Sequence, residues 1–93
     1  MKSIIQTEKE CFICKTCLDL DLHHCLHGTA NRRLADEDGL TVYLCRAHHT
    51  GVLGVHHNAE LDRELKRIAE RAWMEHYGKG IEEFRQRYGK SYL

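Results

Sequence analysis

Proline is absent from the 93-residue chain. No internal repeat or low-complexity tract appears either, so nothing along the chain marks a linker or a repeat array, and it reads as one domain, 1–93. Excess charge is also absent: 14 basic and 14 acidic residues sum to a formal net charge of zero. That removes the simplest argument for nucleic-acid binding, a basic chain. A local basic surface survives the sum, and bound divalent ions would add positive charge that it omits. Long hydrophobic runs are missing as well. The opening "MKSIIQTEKE" has two adjacent strongly apolar residues, too few for a secretory signal or a membrane span. The expectation is therefore a cytoplasmic protein with reduced thiols and no membrane partner.

What the chain has in abundance is metal-binding chemistry. Five cysteines and eight histidines are present. The odd cysteine count argues against a disulfide framework. A domain this small hides only about 60–65% of its unfolded surface, so its own core is marginal and a structural metal is a common remedy. All five cysteines and seven of the eight histidines lie at or before residue 57. The densest stretch is "LCRAHHTGVLGVHH", Leu44–His57, with one cysteine and four histidines.

The chain changes character at that point. Residues 58–93 read as helical. Asn58 is a good N-cap, with Glu60 in the first turn where negative charge suits the dipole. Leu61, Leu65, Ile68, Ala72 and His76 recur at three- and four-residue spacing, Ala69 and Trp73 widen the stripe, and Gly78 fits a helix stop. His76 reads as half-buried. A second helix from Ile81 to Tyr88 puts Ile81, Phe84 and Tyr88 on one face, and Gly89 ends it. Upstream, "LDLDLHHCLH" (Leu18–His27) alternates as a strand does, and "LTVYLC" (Leu40–Cys45) is β-branched and aromatic. Between them "GTANRRLADEDG" reads as a polar loop closed by the turn signal Asp38-Gly39. Residues 1–9 read as a flexible N-terminus or a short edge strand.

Two constellations follow. Cys11-Phe-Ile-Cys14 is a C-x2-C pair, and Cys45-Arg-Ala-His48 is a C-x2-H pair about thirty residues later. Four protein ligands make a closed tetrahedral zinc site of the structural kind, able to supply ~10–16 kcal/mol of apparent binding energy to folding. Cys14-Lys-Thr-Cys17 overlaps the first pair, so Cys17 is an alternative ligand. Cys11 and Cys14 are preferred because they leave eight residues in which to turn before His23. Cys25 reads as a plain buried strand residue. In the second constellation, His23 and His24 are adjacent on a strand and point to opposite faces, so they serve two roles rather than one ion. Asn31 follows in the loop, and His49 is left over beside His48.

The order His23-His24, Asn31, Cys45-x-x-His48-His49 resembles the HNH endonuclease family, over about residues 10–57. Zinc-containing members carry a C-x2-C before the first histidines and a second C-x2-C running into the last one; here His48 replaces the fourth cysteine. More narrowly, the chain is similar to small phage and prophage HNH proteins related to a phage recombination-enhancement nuclease, through "HGTANRR", "GLTVYLC" and "YGKSYL". The resemblance implies an α+β fold: a small zinc-stabilised ββα-metal core, treble-clef-like, followed by two C-terminal helices. It implies His24 as general base, a task its ordinary pKa of ~6.5 suits. It implies His23 and His49 as ligands of a catalytic divalent ion, and Asn31 as the residue that orients His24 or pins its loop. The family often uses a further ligand one helical turn on, but that position is Leu53, which cannot ligate. His56, after the flexible-looking "TGVLG", is the choice for third ligand, with His57 as the alternative and His27 behind both.

The implied activity is metal-dependent hydrolysis of DNA phosphodiester bonds with low sequence specificity. Magnesium or manganese is the expected catalytic ion, with zinc or nickel favoured by imidazole ligands. Arg32 and Arg33, beside Asn31, are the expected phosphate contacts. Lys66, Arg67, Arg71, Arg85, Arg87 and Lys90 add scattered charge that is more often a solvated face. By the same resemblance, partners would be DNA, a recombinase filament or phage proteins, or a second copy of the chain, in a host cytoplasm if phage encoded. The competing expectation is a zinc-binding interaction module without catalysis, and a cysteine redox switch is a further one.

Overall fold

The structure, a computed structural model, describes residues 2–52 and 54–93; Met1 and Leu53 lie outside the described residues. It is α+β, as expected. Strand β1 (Leu20–His24) pairs antiparallel with β2 (Thr41–Cys45), from Leu20 opposite Cys45 to His24 opposite Thr41. Helix α1 (Thr29–Asp38) joins the two strands. A single turn, α2 (Arg46–His49), follows β2 directly, and a 3₁₀ turn (Val55–His57) leads to the long helix α3 (Ala59–Tyr77) and to α4 (Ile81–Tyr88).

Both C-terminal helices form where the sequence pattern puts them. The Asn58 side chain accepts from the Leu61 N–H at 3.0 Å, capping α3. Gly78 closes that helix and Gly89 closes α4, both left-handed at φ 62 and 92. Leu65, Ala69 and Trp73 are the buried centre of the α3 stripe, flanked by half-buried Leu61, Ile68 and Ala72. Phe84 and Tyr88 of α4 pack on Trp73, with ring centroids 5.4 and 6.4 Å away, while Ile81 stays exposed. His76 is exposed rather than half-buried, its ring against neighbouring Tyr77.

The stretch read as a polar loop is instead the ten-residue helix α1. Its sequence is too polar to announce a buried face: only Ala35 and Asp38 are buried, with Leu34 and Asn31 half-buried. Tertiary contacts supply what the pattern lacks. Asn31 Nδ2 donates to the Tyr88 carbonyl at 3.1 Å, tying α1 to α4. Asp38, taken for a turn residue, is the last residue of the helix, and Gly39 at φ 76 is its left-handed cap. The Asp38 carboxylate sits where the helices converge. It accepts from Trp73 Nε1 (2.9 Å), Tyr88 OH (2.7 Å) and both Arg87 Nε (2.6 Å) and Nη2 (2.9 Å), and its carbonyl accepts from Tyr77 OH. Arg87 is therefore committed to the interior and is not loose positive charge. Burial raises the Tyr88 phenol, and its bond to the Asp38 carboxylate raises it further.

Residues 2–9 form no strand, yet they are tied along β2. Ile4 N–H donates to the Gly39 carbonyl, Gln6 Oε1 accepts from Tyr43 N–H, and Ser3 Oγ donates to the Thr41 carbonyl. Ile4 and Ile5 pack against the core. The chain end is anchored likewise: Glu70, fully buried on α3, accepts from Tyr92 N–H at 2.6 Å and from the Ser91 hydroxyl.

Candidate metal centres

Cys11 and Cys14 sit on a tight knuckle before β1. Cys11 N–H donates to the Thr16 carbonyl and Lys15 N–H to the Cys11 carbonyl, with Lys15 in the left-handed region at φ 67. The reversal faces the end of β2 and the start of α2, which carry Cys45 and His48. The four side chains converge as a group positioned to hold a metal ion. Cys14 Sγ lies 3.7 Å from Cys45 Sγ, and His48 Nδ1 lies 3.2 Å from Cys45 Sγ and 3.8 Å from Cys11 Sγ. A tetrahedral ion ~2.3 Å from each sulfur and ~2.0 Å from a ring nitrogen gives edges of about 3.8 Å between sulfurs and about 3.5 Å between sulfur and nitrogen. The observed edges bracket those values, so the donor set fits. Burial lifts the Cys11 thiol, but the amide N–H groups of Cys14, Cys45 and Ile13 outweigh it and bring the pKa to about 6. Cys45 is raised by its own burial and by the neighbouring sulfurs of Cys14 and Cys11. Cys17 is exposed and outside the group, which settles the overlapping pairs in favour of Cys11 and Cys14. Cys25 is buried, its thiol pushed up to about 12 by burial and then by Asp62.

The second group is His23, His49 and His56, whose ring nitrogens come within 4.8 Å of one another. β1 turns His23 inward to 3% exposure while Leu22 beside it is exposed, so the polar residue takes the buried face. His23 Nε2 is buried with no hydrogen-bond partner. An orphaned buried nitrogen of this kind costs ~1–3 kcal/mol unless something meets it. His49 and His56 face each other Nε2 to Nε2 at 3.2 Å, and the His49 and His56 ring centroids lie 5.3 and 5.8 Å from that of His23. Burial, then the charges of His49, His56 and His27, bring the His23 pKa down to about 4. Burial and His49 also lower His56. Both rings are therefore held neutral, the form that ligates a metal. The rings of His49 and His56 thus converge on that of His23, which carries the orphaned nitrogen, and the three together could hold a metal ion.

Close backbone approaches at Gly51 and Gly54 precede His56. Gly51 N–H donates to the Arg46 carbonyl and Gly54 N–H to the Gly51 carbonyl. A Cβ at Gly54 would stand 2.7 Å from the His49 carbonyl oxygen, and one at Gly51 would stand 2.7 Å from that of Ala47. Both glycines are thus needed for close backbone approach. His57 is exposed and outside the trio. His27 is engaged elsewhere, with Nε2 3.0 Å from Asp62 Oδ1.

The trio opens on a hollow of about 250 Å³ lined also by Leu22, His24, His27 and Arg32. His24, the expected base, borders it and a second hollow formed with Thr29, Arg32, Arg33 and Asp36. Its Nε2 is 3.2 Å from Asp36 Oδ1 and its side chain is 13% exposed. Among the described residues Nδ1 has no partner. Asn31 does not orient this ring: its amide is spent on Tyr88, because α1 turns that face toward α4. The partner of His24 is Asp36, five residues beyond Asn31 on α1, which a loop reading had no means of selecting. Arg32 and Arg33 stand on α1 rather than in a loop, and both are exposed. Arg33 pairs with Glu37 at 2.9 Å, while Arg32 carries no ion pair among the described residues.

No protein-family model, curated protein or solved structure matches the chain. No helix among the described residues is long and apolar enough to cross a membrane. What the arrangement offers chemically is a closed four-ligand cluster, an open three-nitrogen cluster, and a carboxylate-backed imidazole at the mouth of the open one.

Proposed function

We propose that the chain is a metal-dependent endonuclease of the HNH type, hydrolysing DNA phosphodiester bonds with little sequence preference. The observation that carries this reading is His24: an imidazole backed by Asp36, with no partner for Nδ1 among the described residues, on the rim of the hollow lined by His23, His49 and His56. In this reading Cys11, Cys14, Cys45 and His48 hold a structural zinc, the ion that a three-sulfur, one-nitrogen set suits. His23, His49 and His56 hold a divalent ion that, when bound, offsets charge building on the scissile phosphate and the departing oxygen.

The chain's own groups do the rest. Asp36 accepts the His24 Nε2–H in this reading, which leaves the lone pair on Nδ1 of a ring that borders the hollow. Nδ1 takes the proton of the attacking water as its oxygen bonds to phosphorus and the bond to the leaving oxygen breaks, the leaving oxygen taking a proton from solvent. Family precedent makes the products a 5′-phosphate and a 3′-hydroxyl. Arg32, without an ion pair among the described residues, lines the hollow and is the cation offered to a phosphate oxygen. No element resembles a base-reading helix, so contacts are to phosphate and binding weakens as salt rises. Magnesium and manganese prefer oxygen donors and would draw on phosphate and water beyond the three nitrogens; zinc or nickel suits the nitrogens better.

The test is plasmid nicking by zinc-loaded protein with Mg²⁺, Mn²⁺, Ni²⁺ or EDTA, repeated with His24→Ala. Loss of the base lowers the rate by ~10²–10⁴-fold, with zinc content and melting temperature unchanged. Equal nicking by both proteins would reject the assignment. Absence of nicking with every ion would favour the zinc-bound interaction module.

A further inference from the structure

We infer that Asp21 is the positioning residue of the three-histidine centre: it ligates nothing and aims His49 at the ion. The inference rests on reading the trio as a metal site. Asp21 Oδ2 lies 3.3 Å from His49 Nδ1, on the side of the ring away from the 3.2 Å approach of His49 Nε2 to His56. The two ring nitrogens are thus divided between two tasks. Nδ1 carries the proton and donates to the carboxylate; Nε2 keeps its lone pair for the ion. A neutral imidazole has one proton, so settling it on Nδ1 makes Nε2 the ligand atom.

The fold holds Asp21 for this task. It lies on β1 two residues before His23, opposite Leu44 in the ladder, and is half-buried. The same strand therefore supplies one ligand and the support for another. Arg46, which opens the turn bearing His49, reaches Asp21 Oδ1 only at 3.9 Å, leaving Oδ2 to the imidazole. His56, by contrast, has no carboxylate hydrogen-bonded to it among the described residues, Asp62 acting on it only at longer range, and His23 lies inside the core. Of the three ligands, His49 is the one with an outer carboxylate, and such outer partners typically set 10–100-fold in metal affinity.

The experiment is titration of zinc-loaded protein with Co²⁺, followed by visible absorption and calorimetry, for native protein and for Asp21→Asn, Asp21→Ala and Asp21→Glu. Native protein is expected to bind one further Co²⁺ with a nitrogen-ligand spectrum. Asp21→Ala should bind it about 10–100-fold more weakly, Asp21→Asn less severely because its amide oxygen still accepts from Nδ1–H, and Asp21→Glu should recover part of the loss. Long-range ¹⁵N–¹H spectra of metal-free trio should show His49 as the Nδ1–H tautomer in native protein and a shift toward Nε2–H in Asp21→Ala, a readout that loss of packing would not produce. Unchanged Co²⁺ affinity and tautomer in folded Asp21→Asn and Asp21→Ala overturn the inference while leaving the trio a metal site. Failure of native protein to bind Co²⁺ at all overturns both.

Discussion

The two histidine-bearing clusters are built from adjacent residues and are opposites in design. His48 and His49 share the one turn of α2, yet His48 closes a sulfur-rich set of four and His49 opens onto a hollow as one of three. A four-ligand site leaves an ion nothing to do but hold chain segments together, whereas three protein ligands leave positions for water or substrate. The first cluster joins the N-terminal knuckle to the end of β2; the second lies over the sheet where β1, α2 and the 3₁₀ turn meet. Donor count and exposure, rather than histidine content, separate a closed cluster from an open one.

The largest effect should come from breaking the closed cluster. Cys45→Ser leaves an ion worth ~10–16 kcal/mol of apparent folding energy poorly held, and the chain should lose zinc and cooperative melting together, as followed by elemental analysis and circular dichroism. A variant that melts like native protein without zinc would make the two clusters alike. His23→Leu probes the open cluster from the other side. It should abolish the second ion yet keep the fold, because it removes an orphaned buried nitrogen. It also has a pH signature. Unfolded His23 takes a proton below its ordinary value of 6.5, while the folded residue resists until about 4. Unfolding therefore binds a proton in that window, and stability present above pH 6.5 is lost as pH falls toward 4. Between pH 7 and pH 5, with the second ion absent, native protein should lose about 2 kcal/mol relative to His23→Leu, measured by urea melts. Parallel pH curves would mean that His23 is not held neutral.

Gly54→Ala tests the reversal that carries His56. The added carbon must displace the His49 backbone; a cost of ~1–3 kcal/mol is expected, with Co²⁺ bound more weakly at the trio and zinc content intact. The smallest effect belongs to Arg32→Ala. If Arg32 meets a phosphate, DNA affinity falls modestly and the slope of log affinity against log salt shrinks by ~1; an unchanged slope would free α1 of that role. Arg33→Ala, already paired with Glu37, should change the slope less.

Much of this was legible in the chain itself. The cysteine spacings select the closed cluster because tetrahedral coordination demands paired ligands from two tight turns, and Asn58, Gly78 and Gly89 mark the helix ends through local capping chemistry. For the third member of the trio the sequence offered His56 with His57 as an alternative, and it is His56 that lies beside His23 and His49. What was hidden depends on tertiary partners. α1 has too little apolar surface to show a helical stripe, and it exists because Asn31 and Asp38 are met by residues some fifty positions away. Asp36 and Asp21 are ordinary acidic residues until the fold sets an imidazole beside each. Arg87 looks like surface charge until Asp38 is found beneath it. Ligands announce themselves by residue type; the groups that aim them do not.

The cramped bend at Gly51 and Gly54 bears on how such sites are recognised elsewhere. Six residues separate His49 from His56, and their ring nitrogens meet across that interval with the backbone at Gly51 and Gly54 so close to Ala47 and His49 that a Cβ would not fit at either glycine. A search pattern written from histidines alone would gather many chains whose rings stand far apart; adding the two small residues at their offsets would sift out those unable to make the turn.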